Sequence, residues 1–263
     1  MKYKKKVSIL TGASGFLGQV YIHALHQLGY KIIITDIDKV KLYNLYKKLK
    51  KKKYDIHYYS LDVTKREEIK NLASRIYERF KSIDILINNA AIDAKPNFKS
   101  KKKMNFENLT ESQWDLEINT NIKSVFLMCQ EIGFYMKKKK FGIVLNIGSD
   151  LSIISPKQSI YNNKKIIYKK PLTYSVAKHA IVGLTKYLAE YWSKDNIRVN
   201  CLSPGSVNYK QPYNLKNEIK KLTPLGRLLE KKELIEIVKL LCSNKSNYMT
   251  GQNILIDGGR TII

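Results

Sequence analysis

Tyr174 and Lys178 are the residues from which chemistry is read first. They stand four positions apart, in a run whose apolar residues Val176, Ala177, Ala180, Ile181, Leu184 and Leu188 follow helical spacing. One turn of helix therefore puts a phenol and an ammonium on the same face. A fixed cation beside a phenol favours the phenolate, so the pair predicts a tyrosine whose pKa falls from about 10 toward neutrality. Such a group can give or take a proton at physiological pH. A Tyr-x-x-x-Lys pair also arises by chance on a Lys-rich helix, and the upstream chain has to decide between the two.

The upstream chain supplies a nucleotide site. A short β-type run, Val7 to Thr11, leads at once into a turn containing Gly12, Ser14, Gly15, Phe16, Leu17 and Gly18. A helix-like segment follows to Leu28, and then a second strand, Lys31 to Thr35, ends in Asp36. Strand, Gly-rich turn, helix, strand and acid form the dinucleotide-binding βαβ pattern. Glycines let backbone N–H groups approach a pyrophosphate, which a helix N-terminus also attracts. Asp36 lies 24 positions after Gly12, where a carboxylate hydrogen-bonds an adenosine ribose. It would repel a 2′-phosphate, so NAD is expected in preference to NADP.

Beyond Asp36, helix and strand patterns alternate to the C-terminus. A Lys-rich helix runs from about Val40 to Lys53, a strand reaches Leu61 before Asp62-Val63, and an amphipathic helix covers Lys65 to Phe80. The fully apolar strand Asp84 to Asn88, as expected in a parallel sheet covered on both faces, gives way to Asn89-Ala90-Ala91. Ala94 to Asn108 reads as a surface loop. Thr110 caps a helix that leads to Asn119-Thr120-Asn121, and the strand Gly142 to Ile147 ends in Gly148-Ser149. After a loop-like stretch and the Tyr174 helix come the strand Ile197 to Leu202, a turn at Ser203-Pro204-Gly205, and a polar segment, Asn208 to Leu222. A helix near Lys231 to Cys242 and a last strand, Ile254 to Ile256 before Asp257-Gly258-Gly259, complete the chain. This pattern predicts one doubly wound α/β domain over residues 1–263, with a mainly parallel sheet of about seven strands and helices on both faces.

Composition narrows the rest. The chain has 263 residues, 44% of them hydrophobic, enough for a sizeable core. No apolar run approaches the ~20 residues of a membrane span, and the apolar part of the basic N-terminus is too short for a signal peptide. A cytoplasmic protein is expected. Three separated cysteines (Cys129, Cys201, Cys242) and four His residues without ligand spacing predict reduced thiols and no metal site. The net charge of +26 invites a nucleic-acid partner, but only six of the 48 basic residues are Arg, the residue favoured for phosphate forks. With Lys scattered through every segment, no nucleic-acid site is expected.

In this order and over nearly the whole chain, the motifs resemble the short-chain dehydrogenase/reductase family. The matching pieces are Thr11 to Gly18, Asp36, Asp62-Val63, Asn88-Asn89-Ala90, Asn121, Ser149, Tyr174 with Lys178, Ser203-Pro204-Gly205, Thr250-Gly251-Gln252 and Asp257-Gly258-Gly259. The resemblance implies alcohol–carbonyl interconversion with hydride exchanged at a nicotinamide. It makes Tyr174 the general acid/base, Ser149 the residue that orients the substrate oxygen, and Lys178 the holder of the nicotinamide ribose. Asn121 would tie Lys178 to solvent through a water. Asp62 and Val63 would meet the adenine, Asn88 and Ala90 would line the groove, and Pro204, Gly205 and Val207 would face the nicotinamide half. It also implies a homodimer or homotetramer packed through the helices around Asn121 to Lys137 and Tyr174 to Trp192.

The chain departs from that pattern in four places. Phe16 stands where the middle glycine is usual. The 25 positions from Ser149 to Tyr174 mark an insertion, about 150–172, over the site. The usual Thr after Pro204-Gly205 is replaced near Tyr209, and the substrate-covering segment, about 206–224, is short. The run Ser155 to Tyr161, Pro171-Leu172-Thr173 and Gln211-Pro212 are similar to oxidoreductases of flagellin-modification and sialic-acid-like (nonulosonate) sugar pathways. Lys164, Lys165, Lys169 and Lys170 in the insertion would suit a phosphorylated or nucleotide-linked sugar, although general Lys richness explains them equally. A 3-oxoacyl-carrier-protein reductase is the alternative enzyme, and a dinucleotide- or nucleic-acid-binding regulator the alternative of another class.

Overall fold

The computed structural model describes residues 5–93, 106–161 and 169–263. Residues 94–105 of the loop expected from Ala94 to Asn108, and the insertion residues 162–168, with Lys164 and Lys165, lie outside the described residues; Phe106–Asn108 forms a 3-10 turn.

Seven strands form one parallel sheet: β1 (Val7–Leu10), β2 (Lys31–Asp36), β3 (Ile56–Ser60), β4 (Ile85–Asn88), β5 (Gly142–Ile147), β6 (Ile197–Pro204) and β7 (Asn253–Ile256). Their order is β3-β2-β1-β4-β5-β6-β7. The apolar runs are long because both faces are covered. In β4, Ile85 and Ile87 join one core cluster and Leu86 the other. The first cluster packs α1 (Phe16–Gln27), α2 (Lys39–Lys51) and the later helix Lys231–Leu241 onto the sheet. The second packs α3 (Arg66–Phe80) together with the helices Ser124–Lys139 and Leu172–Tyr191.

In chain order the remaining helices are α4 (Glu111–Ile118), α5 (Ser124–Lys139), α6 (Leu172–Tyr191), α7 (Tyr213–Lys221) and α8 (Lys231–Leu241). Thr110 caps α4 in a reciprocal box with Gln113, as its sequence position predicts. Between α4 and α5 the chain makes one turn of π-helix, Asn119–Lys123, so the two form a continuous rod with a bulge at Asn121.

The expected polar segment at 208–222 is in fact helical over α7. Its charged residues hide a short apolar stripe, Leu215, Ile219 and Leu222, which packs with Ile160 and Leu228 in a small satellite cluster. Strand order reverses direction about β1, and chain segments leaving the C-terminal ends of β1 and β4 diverge there. That opening is where an α/β sheet of this kind receives ligands.

Candidate active site

Most of the residues singled out by sequence gather at this one edge of the sheet. A groove of about 810 Å³ runs along the C-terminal strand ends, from Asp62 and Val63 past the Gly-rich turn to Ser149, Tyr174 and Lys178. Its floor at the turn is built from backbone. Gly12 has φ +63°, and a Cβ there would lie 2.8 Å from Ala90 Cα. A Cβ on Gly18 would lie 2.5 Å from the Gly12 carbonyl oxygen and 2.8 Å from Ala13 Cα. Neither position has room for a side chain.

The turn is locked from β4. Thr11 Oγ1 accepts the N–H groups of Asn89 and Ala90, both at 3.0 Å, while Asn89 Nδ2 donates to the carbonyls of Thr11 and Gly12. At the start of α1, Gly15 caps with extended backbone and no side-chain hydrogen bond. The first amides of α1 therefore open on the groove, a cradle of N–H groups that fits a pyrophosphate. Phe16, the first helical residue, is partly buried against the core and stacks its ring on Tyr209 at the groove.

Acidic groups mark the far half of the groove. Asp36 ends β2, its Oδ2 accepting from Ser14 N–H at 2.9 Å and its Oδ1 from Asp38 N–H at 3.1 Å. Those bonds aim the carboxylate at the groove and leave it lone pairs for a ribose hydroxyl. Asp62 is held by Thr64, whose N–H and hydroxyl both donate to Oδ1.

At the other end, Ser149 follows β5 and Tyr174 sits on the first turns of α6. The Ser149 hydroxyl is hydrogen-bonded to Tyr174 and lies 2.8 Å from Asp150 Oδ1, to which it donates. Lys178 is buried, donates to the Ile147 carbonyl at 2.7 Å, and has Nζ 5.6 Å from the Tyr174 ring centre. Phenol and ammonium thus share a face, as their spacing predicts.

Their titration differs from the sequence expectation. Burial, reinforced by Asp93 and Asp150, raises the Tyr174 pKa above that of free tyrosine, and the Ser149 hydrogen bond only partly offsets it. Burial pushes Lys178 down to about 8. A cation at this separation does not outweigh loss of water by the phenolate, so in this chain Tyr174 stands as a protonated donor.

Two further side chains have partners that sequence reading did not predict. Asn88 turns into the core, where its Nδ2 donates to Asn146 Oδ1 at 2.9 Å, and the groove wall there is Asn89 to Ile92. Asn88 sits on the sheet-face side of the alternating pleat, and Asn89 is the residue that reaches the turn. The Asn121 amide is hydrogen-bonded to Ile92, accepting its N–H at 2.7 Å and donating to its carbonyl at 2.9 Å. Its side chain braces the groove wall at Ile92.

Of the charged wall around the reacting end, sequence reading named only Lys170. Asp150 Oδ2 lies 2.9 Å from Arg260 Nη1, with both side chains about 6% exposed, although the contact is out of line for a hydrogen bond. Tyr161 also hydrogen-bonds Arg260, and burial pushes its phenol up to about 12. Lys170 pairs with Asp93, has its backbone gripped by the Gln158 amide, and places Nζ 4.0 Å from the Tyr174 ring centre. Beneath them Thr173 donates to the buried Glu117, tying α6 to α4. A signal for Arg260 did exist. In a chain with only six Arg among 48 basic residues, an Arg is itself unusual, and Arg198 and Arg260 are both buried.

Comparison with known proteins gives the family. The family profile described as Enoyl-(Acyl carrier protein) reductase matches residues 12–261. The 3-oxoacyl-acyl-carrier-protein reductase FabG of Thermotoga maritima is 31% identical over 267 residues, covering 100% of both chains. The NAD-dependent glycerol dehydrogenase of Listeria innocua is 29% identical, covering 98% of this chain and 94% of that one. Among solved structures, the short-chain dehydrogenase of Leptospira borgpetersenii with bound NAD+ superposes with a TM-score of 0.83 at 30% identity, covering 98% of this chain and 94% of its own. A profile match over residues 12–261 and an end-to-end relative at 31% identity place the chain in the short-chain dehydrogenase/reductase family.

Proposed function

We propose that this protein is an NAD-dependent oxidoreductase that interconverts a hydroxyl and a ketone on a polar, sugar-derived metabolite, phosphorylated or nucleotide-linked. The observation that carries the reading is the composition of the wall around Ser149 and Tyr174. Asp93, Asp150, Lys170 and Arg260 all line that end of the groove. Such a wall offers hydrogen-bonding partners to a polyhydroxylated or anionic molecule. The likeness of the insertion to enzymes of nonulosonate pathways agrees with this substrate class.

In this reading the Gly-rich turn and the α1 N-terminus hold the pyrophosphate, Asp36 the adenosine ribose, and Asp62 and Val63 the adenine. Pro204, Gly205 and Val207 bound the nicotinamide half. A bound nicotinamide supplies or accepts the hydride. Ser149 fixes the substrate oxygen, and Tyr174 exchanges a proton with it. Lys178 holds the ribose beside Tyr174, and Asn121 keeps the wall at Ile92 in place. The residues around 150–172 and 206–224 select the substrate. The carboxylate of Asp36 would repel a 2′-phosphate, which favours NAD over NADP.

A second reading has its own observation, the 31% identity to a 3-oxoacyl-acyl-carrier-protein reductase over the full chain. It calls for NADPH and an acyl thioester. The two separate in one experiment: titration with NADH and NADPH, followed by a screen of amino-sugar phosphates, nucleotide sugars and an acetoacetyl thioester at saturating cofactor. At least tenfold tighter NADH binding with turnover of a sugar is the expected result. NADPH preference with thioester reduction would replace the first reading by the second.

Two helices also carry exposed aromatic residues. Phe126 and Phe134 on α5, and Tyr187 and Tyr191 on α6, are between 43% and 64% exposed, unusual for four aromatic residues on two neighbouring helices. These rings support the proposal of a homodimer or homotetramer through the two helices, and a monomeric mass in sedimentation equilibrium would remove it.

A further inference from the structure

Phe16 and Tyr209, two positions at which the chain departs from the family pattern, meet in the fold. Phe16 is the first residue of α1, after β1, and Tyr209 lies on the segment leaving β6. Their rings stack with centres 3.9 Å apart and planes at 24°. β1 and β6 are separated by β4 and β5. Three strand spacings amount to about 14 Å, so rings that touch must bridge the crevice between the two strand ends.

The bridge is not an ordinary core contact. Tyr209 remains 44% exposed, and both residues line the groove. It is nevertheless held from both sides. The Tyr209 N–H donates to Gln211 Oε1 at 2.9 Å, and Gln211 Nε2 donates to the Val207 carbonyl at 2.7 Å, which fixes the segment next to the ring. On the other side, Lys231 Nζ lies 4.9 Å from the Phe16 ring centre, a cation–π contact from the first turn of α8. The stack stands directly beside the exposed amides at the start of α1, which form the pyrophosphate cradle.

We propose that Phe16 and Tyr209 are cofactor-retaining residues, their stacked rings closing across the groove and slowing the departure of a bound nicotinamide dinucleotide. The inference rests on the dinucleotide reading above and adds to it two residues that act through residence time. Because the contact is ring to ring, the phenol hydroxyl of Tyr209 contributes nothing to it.

The test is the dissociation rate of NADH from the full-length protein, read by stopped-flow fluorescence on displacement with excess NAD+. Tyr209→Ala should speed release roughly three- to tenfold, the range expected for one aromatic pair. Phe16→Leu should do the same, and the double variant should be no faster than either single one, because one contact has been removed twice. Tyr209→Phe should release at the wild-type rate. Release from Tyr209→Ala within about twofold of wild type would overturn the proposal. So would a Tyr209→Phe variant as fast as Tyr209→Ala, or additive effects in the double variant. A wild-type protein that binds neither NADH nor NADPH would overturn the dinucleotide reading itself, and this inference with it.

Discussion

Tyr174→Phe should lower turnover by roughly 10²–10⁴-fold, the range contributed by a positioned acid or base, while the dissociation constant for NADH stays within about twofold. The change removes one oxygen. That oxygen is hydrogen-bonded to Ser149, while the ring stays packed beneath Lys170 and near Lys178. No floor contact of the groove involves it, because the turn is locked by Thr11 and Asn89. The loss should therefore appear in the chemical step and not in folding or cofactor affinity. Single-turnover NADH absorbance on a substrate identified by the screen measures the first quantity, and fluorescence titration the second. Turnover surviving at a tenth of wild type or more would take the acid/base role away from Tyr174. The raised pKa adds a directional expectation. Tyr174 holds its proton through the physiological range, so in the free chain it stands ready to donate to a carbonyl oxygen.

The sheet was legible because its strands are buried on both faces, so runs such as Ile85-Leu86-Ile87 carry their own signature. Asp36, Ser149 and Gly12 were legible for a related reason. Each sits where a strand ends, and the strand predicts the site. What escaped sequence reading depends on contacts between distant segments. Asp150 reads as a loop acid until Arg260, at the other end of the chain, is seen against it. Nothing local marks Glu117 as the partner of Thr173, since the two are 56 positions apart. Asn121 was found by its motif but its partner was not, because its hydrogen bonds to Ile92 join a helical bulge to the segment after β4, a proximity that only the fold decides. The titration of Tyr174 fails for the same cause. Spacing predicts that Lys178 is near, but only the packed structure shows that burial costs the phenolate more than that lysine returns.

The same burial makes Lys178 expensive, and Lys178→Met should show it: turnover falls by at least roughly 10²-fold while the folded chain gains about 1–3 kcal/mol at neutral pH. Lys178 is 4% exposed, and its pKa is pushed down from 10.5 to about 8. That gap corresponds to roughly 3 kcal/mol against the charged form, and loss of the hydrogen bond to Ile147 would return about 1 kcal/mol of it. The sign follows from proton counts. Below about pH 8 the lysine is protonated in folded and unfolded chains alike, and the full cost of its burial is present. Between about 8 and 10.5 the unfolded chain binds more protons than the folded one, so stability rises with pH. Above about 10 the unfolded chain begins to lose the Tyr174 proton that the folded chain keeps, which works the other way, so the informative window is pH 8 to 10. Many surface lysines titrate nearby, and the quantity to read is the difference between wild type and Lys178→Met in urea unfolding at a series of pH values. The variant's advantage should be greatest at pH 7 and shrink across that window. An advantage that is absent at pH 7, or constant to pH 10, would mean that Lys178 is not a buried ammonium. A lysine kept at such a cost to the fold, one turn from Tyr174 and anchored on the strand that delivers Ser149, is placed for what it does to its neighbours in the groove and not for the stability of the chain.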